Sequence, residues 1–352
     1  MRQRPVAIWL FLMCALVALM VMVGGATRLT DSGLSITEWR PVTGAIPPLS
    51  EAMWLDEFEK YKTIPEYEQV NWGMSLDEFK VIYWWEWGHR FLGRLIGIAF
   101  FVPFVAFLSM GLLTRHLALK LFGLFLLGGA QGALGWWMVS SGLSERIDVS
   151  QYRLAAHLGM AMLLFGAMFW VGLGLISTQR KNSIQSPLLA LLPVFVFGQI
   201  ILGAFVAGLR AGLTYNTWPL MDGRFVPRGY FRENARFNDL FETIEAVQFN
   251  HRIGAYLVVS LAVTVAWQHR ASLLRTPALA IGAVASSQML LGIVTLLAGT
   301  PIWMGLAHQF GALILFAATI YGAHGLGRSI SISNPVSASG MTSRALTVEP
   351  SG

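Results

Sequence analysis

Four of the seven histidines in this chain, His89, His157, His251 and His308, recur in matched local sequences. Glu86-Trp87-Gly88-His89-Arg90 pairs with Gln248-Phe249-Asn250-His251-Arg252, and Leu154-Ala155-Ala156-His157-Leu158-Gly159 pairs with Leu306-Ala307-His308-Gln309-Phe310-Gly311. A neutral imidazole nitrogen is the commonest protein ligand for a metal. Two histidines per half are too few for a compact zinc or copper site, which needs three or four ligands close together. No cysteine, aspartate or further histidine lies nearby to complete such a set. One imidazole on each face of a flat macrocycle suits haem iron instead. The pattern therefore predicts two haems, one on His89 and His157 and one on His251 and His308. A single buried histidine has an ordinary explanation as a hydrogen-bonded core residue, but that does not extend easily to four equivalent positions.

The neighbouring residues extend this reading. Arg90 and Arg252 directly follow two of the histidines, and a guanidinium pairs well with a haem propionate. Arg28 and Arg210 are weaker candidates for the same role, the alternative being arginines that reach to a membrane interface. Glu86 precedes His89 by three residues, which puts both on one face of a helix. The matching position in the other half is Gln248. A carboxylate can move a proton or stabilise a developing cation where an amide cannot, so Glu86 marks its half as the catalytic one. The alternative is a helix-start Glu that complements the macrodipole. His116, His269 and His324 break the repeat and read as solvated loop or interface residues. Cys14, the one cysteine, lies in an apolar run and reads as a small buried side chain.

These residues need elements to hold them, and the composition says those elements lie in lipid. The chain has 352 residues, 55% hydrophobic and 12% charged, where a soluble domain carries about 25% charged residues. Eight apolar runs approach the length of a spanning helix: 6–26, 90–113, 117–140, 153–176, 188–208, 249–268, 277–299 and 303–325. The first follows Arg2 and Arg4 and has the flank of a signal peptide, but its place in the repeat makes it a retained helix. The net charge of +6 comes largely from short loops on one side, holding Arg2, Arg4, Arg115, Lys120, Arg180, Lys181, Arg270, Arg275 and Arg328 and no acids. That is a positive-inside signature rather than a nucleic-acid footprint. Both termini are then cytoplasmic, with the four histidines toward the outer face.

The repeat extends past the histidines. Gln131-x-x-Leu134-Gly135 matches Gln288-x-x-Leu291-Gly292, and Gly33-Leu34-Ser35, followed by Trp39 and Pro41, matches Gly212-Leu213-Thr214, followed by Trp218 and Pro219. Four helices duplicated in the same order give a parallel repeat. The expected fold is an all-α integral membrane protein of eight transmembrane helices in two four-helix bundles, residues 1–180 and 181–328, with 329–352 a disordered tail. Gly93, Gly97, Gly159 and Gly254 make room for a flat group, although small residues also serve ordinary helix packing in lipid.

At these residues the chain resembles the haem A synthase family, in the form found in mitochondria and related bacteria. The resemblance is carried by Glu86-Trp-Gly-His89-Arg90, Ala156-His157, Asn250-His251-Arg252 and Ala307-His308. Thr30-Asp-Ser-Gly-Leu-Ser35, Thr37-Glu-Trp-Arg-Pro-Val-Thr-Gly44 and Asn216-Thr-Trp-Pro-Leu-Met-Asp-Gly223 add to it. It covers nearly the whole chain apart from the tail. It implies that haem O is the substrate, held in the N-terminal half near His89, His157 and Glu86, and that haem b sits on His251 and His308. The reaction it implies is oxidation of one ring methyl to a formyl group by successive hydroxylation, giving haem A for cytochrome oxidase. It further implies a bacterial inner-membrane location with the haem sites toward the periplasm. Its partners would be haem O synthase, cytochrome oxidase assembly factors and an electron donor that no motif identifies, with a homo-oligomer allowed and no nucleic acid. The cysteine pairs that some members carry in their outer loops are missing here, so no thiol role carries over. Two rivals stay open at this point: a non-enzymatic bis-histidine dihaem cytochrome and, more distantly, a transporter.

Overall fold

The structure is a computed structural model that describes residues 3–144, 146–176, 186–231, 236–272 and 274–325. Arg2, Arg180, Lys181, Arg328, the boundary between residues 180 and 181 and the 329–352 tail lie outside the described residues. The helices are α1 (Arg4–Leu29), α2 (Glu51–Tyr61), α3 (Pro65–Gln69), α4 (Leu76–Ser109), α5 (Arg115–Val139), α6 (Gln151–Ile176), α7 (Pro187–Gly208), α8 (Asp239–Glu242), α9 (Ile244–Gln268), α10 (Arg275–Leu297) and α11 (Ile302–Gly325). Eight of them, α1, α4, α5, α6, α7, α9, α10 and α11, are long and apolar enough to cross a membrane. Among the described residues strand pairing is limited to one isolated bridge, Met221 with Arg224. The protein is thus an all-α integral membrane protein of eight spans.

Local chemistry sets the helix ends. Pro187 opens α7, where a missing N–H costs nothing. The Thr114 and Thr243 hydroxyls accept from the N–H groups of Leu117 and Ala246 and start α5 and α9. Ser75 and Glu78 form a capping box at the start of α4, each side chain accepting from the other's backbone N–H. This box corrects the expectation that the second span opens near residue 90. Glu86, His89 and Arg90 interrupt the apolar sequence there, but they do not end the helix. The additional N-terminal turns of α4 join α2 in a cap at one end of the helices, where Phe58, Tyr61 and Phe79 are buried together and the Phe58 and Phe79 rings stack at 4.9 Å.

The spans pack in two rings of contact. In the first, α1 and α5 each pack on both α4 and α6; in the second, α7 and α10 each pack on both α9 and α11. The four histidines therefore ride on helices that sit diagonally across each ring. The rings meet where α6 lies against α7 and α11, and α1 against α11. The Gln309 amide of α11 donates to the Val21 carbonyl of α1 at 2.6 Å across this seam. Leu10, Met13, Met162, Leu189, Leu192 and Ile281 are fully buried inside, whereas Leu12, Ile98, Phe101, Leu290 and others face outward, as lipid-facing helices require.

Candidate haem-binding site

His157, His251 and His308 lie about two turns inside α6, α9 and α11, and His89 lies about three and a half turns inside α4. The rings of His251 and His308 face each other with centroids 6.4 Å apart and planes 81° apart. An imidazole nitrogen sits about 2 Å from a first-row metal ion, so two rings sharing one ion on opposite sides have centroids roughly 6 Å apart. The observed separation fits one iron between them. Among the described residues no group of three or more His, Cys, Asp or Glu is placed to hold a metal ion.

Each imidazole rests against a glycine of the helix beside it. A methyl group added at Gly135 would lie 2.9 Å from Cε1 of His157, at Gly203 it would lie 3.2 Å from Cε1 of His251, and at Gly292 it would lie 2.6 Å from Cε1 of His308. At Gly24 it would meet Nε2 of His89 at 3.0 Å. These glycines, on α5, α7, α10 and α1, let the rings approach the backbone as closely as they do.

A glutamine four residues before three of these glycines reaches the ring. The Nε2 atoms of Gln131, Gln199 and Gln288 lie 3.2, 3.0 and 3.1 Å from Nδ1 of His157, His251 and His308. Each also donates to the main-chain carbonyl of the same histidine, at 2.9, 2.9 and 2.7 Å. Two of these glutamines belong to the Gln-x-x-Leu-Gly repeat, but their part at the histidines did not follow from sequence. The third copy, Gln199-Ile-Ile-Leu202-Gly203, was legible by the same spacing, with Met20 and Gly24 as its altered fourth.

Arg90 and Arg252 do the same work in the two halves. Arg90 donates to the carbonyls of Ile36 and Glu38 at 2.8 and 3.0 Å, and Arg252 to those of Tyr215 and Thr217 at 2.8 and 2.9 Å. Each pins the loop that follows the first helix of its half. Nε of Arg252 and Nη1 of Arg94 are buried with no partner, and such donors are costly unless an acceptor meets them. A carboxylate of a bound group would supply one. The residues present therefore fit a haem held between paired imidazoles with its acidic edge toward these arginines.

Glu86 is 2% exposed. Its Oε2 accepts from the Ser35 hydroxyl and the Ile36 N–H, both at 2.8 Å, and its Oε1 accepts from Arg90 at 2.6 Å. It lies about three turns inside α4, so complementing the dipole at a helix start is not its role. Gln248, its counterpart, donates to the Tyr215 carbonyl at 3.2 Å and leaves its own buried oxygen unpartnered.

Arg28 and Arg210 sit in an ion network with Asp31 and Asp148. Arg210 reaches Asp31 at 2.6 Å and Asp148 at 3.0 Å, and Arg28 reaches each aspartate at 3.3 Å. They tie the outer ends of the two halves together. Of the remaining histidines, His116 is exposed as expected. His269 is instead buried, hydrogen-bonded to Ser186 at 2.8 Å and Ser272 at 3.2 Å, and His324 lies edge-on to Trp170. Cys14 is buried and its thiol points at the Phe165 carbonyl.

Eight apolar spans, two of which bring the His251 and His308 imidazoles together, describe a polytopic membrane protein. The chain belongs to the cytochrome oxidase assembly protein family, COX15-CtaA, whose profile matches residues 7–320. It is 52% identical over 329 residues to the Heme A synthase of Parvibaculum lavamentivorans, covering 93% of this chain and 95% of that one. It is 52% identical over 336 residues to the Heme A synthase of Maricaulis maris, covering 92% and 96%. It is 51% identical over 328 residues to that of Bradyrhizobium diazoefficiens, covering 90% of each.

Proposed function

We propose that the chain is a haem A synthase, a membrane oxidoreductase that converts a ring methyl of haem O to a formyl group and so supplies haem A for cytochrome oxidase. The observation that carries the proposal is the pairing of imidazoles on diagonal helices, with the His251 and His308 rings at the spacing of two ligands sharing one ion. Relatives about half identical along nearly the whole chain carry the name Heme A synthase. In this reading His89 and His157 hold the substrate haem, and His251 and His308 hold a resident haem b. The two contact rings are the two parallel-repeat bundles. Arg252, through its unpartnered Nε, and Arg90 meet the propionates at the outer edge.

When bound, haem iron supplies the electron transfer that methyl oxidation needs. The chain's own residues do the rest. The imidazoles orient each ring, the glycines let them stand close, and the apolar lining keeps water out. Glu86 puts a buried negative charge, braced by Arg90, Ser35 and Ile36, on the His89 helix, and the other half has only an amide there. We place the protein in the bacterial inner membrane with both termini cytoplasmic and both sites near the periplasmic face. Its haem O comes from a haem O synthase and its product passes to oxidase assembly.

Pigment extraction from the purified chain tests the proposal. Haem O, or its hydroxylated or formylated product, found beside haem b is the expected result. Haem b alone in both sites would make the protein an electron-passing cytochrome instead.

A further inference from the structure

The three glutamines divide the four histidines unevenly. Gln131, Gln199 and Gln288 each grip both Nδ1 and the main-chain carbonyl of one histidine. His89 makes no such bond among the described residues. Met20 stands four residues before Gly24, where a fourth glutamine belongs. Its side chain occupies the corresponding place. Its Cε lies against Gly93, one turn beyond His89, much as Gln199 lies against Gly254 and Gln288 against Gly311, each one turn beyond its histidine.

The rings differ accordingly. The three gripped imidazoles turn Cε1 toward the glycine of the neighbouring helix, with Nδ1 next at His157 and His251 and both nitrogens level at His308, whereas His89 turns Nε2 and then Cδ2 toward Gly24. An imidazole that binds a metal through Nε2 carries its proton on Nδ1 and donates it to an outer partner, which fixes the ring and strengthens the ligand. The buried Oε1 of Gln131 and of Gln199 has no other partner. A half-turn of the amide would bring it to Nδ1 as that acceptor, with the bond to the main-chain carbonyl given up. A methionine sulfur is only a weak acceptor.

We propose that Gln131, Gln199 and Gln288 are positioning residues that each hold one axial imidazole in place, and that Met20, standing where the fourth would be, leaves His89 as the ligand that swings off the iron to open a coordination position. The proposal rests on the haem reading above. It deepens that reading by naming which of the four iron–nitrogen bonds breaks, with the lone pair staying on the departing ring. It also gives a physical source for the difference between the halves: three held ligands give one closed site and one that can open.

The test uses the purified full-length chain with its haems, reduced and mixed with carbon monoxide. The parent is expected to bind carbon monoxide at one haem of the two. Met20→Gln should slow that binding roughly 10–100-fold, the usual weight of such an outer partner. Gln199→Met should add carbon monoxide binding at the second haem. Gln199→Glu keeps an acceptor and should retain that haem with a lowered midpoint potential, a change that a merely structural role would not produce. If Gln199→Met sheds its haem, the Glu variant decides: haem kept at lowered potential supports the proposal, and haem lost from both overturns it. Parental carbon monoxide kinetics in Met20→Gln and Gln199→Met together also overturn it. Failure of the haem reading would look different, as a parent protein with no bis-histidine low-spin spectrum at all.

Discussion

Glu86 is one of the side chains that differ between the halves, since Gln248 stands at the matching position. Its two oxygens hold the loop after α1 through Ser35 and Ile36 and hold Arg90 against the same loop. Charge and anchoring are therefore combined in one group, and two substitutions separate them. Glu86→Gln leaves the half-buried Arg90 without its counter-ion and should cut haem A formation by about 10²–10⁴, the range of a proton-transferring or charge-bearing catalytic group. The haem on His251 and His308 should be kept, because the change lies in the other ring. Ser35→Ala removes one hydrogen bond to the carboxylate, worth about 1.5–3 kcal/mol of stability, and should leave haem A formation within severalfold of the parent. Haem composition per unit protein reads both. Equal losses in the two variants would assign Glu86 to anchoring alone. The residue types at this site were legible in the sequence, because histidine and glutamate are rare in apolar runs. The glutamine grip was not, because it depends on which helix face turns toward which neighbour.

At the scale of elements, the close approach of α10 to α11 depends on one missing methyl. Gly292→Ala would put a Cβ 2.6 Å from the His308 ring, closer than real Cβ contacts come, so the imidazole must shift. The low-spin signal of that haem should fall to a small fraction of the parent's in an absorption or EPR spectrum of the purified variant. The outer cap makes a different prediction. Burial pushes the Glu66 carboxyl on α3 up to about 8, with the charges of Glu86 and Asp31 adding to the shift. The folded protein therefore holds a proton there that the unfolded chain gives up in the ordinary carboxylate range. The stability this provides is complete at low pH and is lost as pH rises from about 4.5 to about 8. Glu66→Gln stays neutral throughout, so its melting temperature should lack that decline and exceed the parent's near pH 8. The eight spans were legible because lipid demands long apolar runs. The cap was hidden inside the long 27–89 segment, since α2, α3 and the first turns of α4 mix charges with Phe58, Tyr61 and Phe79 and give no continuous apolar signal.

Across the whole molecule, the two contact rings share one seam and their outer ends share one ion network of Arg28, Asp31, Asp148 and Arg210. Asp31 and Arg210 occupy matching places in the repeat, each in the left-handed backbone region at φ 50°, yet they carry opposite charges and pair with each other. This arrangement joins two halves that differ and would not join two identical ones. Charge also orients the molecule. The loops at the Arg115 and Arg270 ends are basic, whereas the α2–α3 cap holds Glu51, Asp56, Glu57, Glu59, Glu66 and Glu68. On the positive-inside rule we propose that the cap faces outward. A reporter joined after residue 328 should be cytoplasmic and one inserted beside Glu66 external, and the reverse would overturn the orientation.

The central claim is that this chain makes haem A from haem O, and chromatography of haems from cells tests it most directly. The cells should make haem O and have no other route to haem A. With the parent chain, haem A should appear. With His89→Ala it should disappear, while the haem on His251 and His308 persists in the purified protein. Haem O and haem b alone, in cells that contain the folded parent chain, would contradict the account.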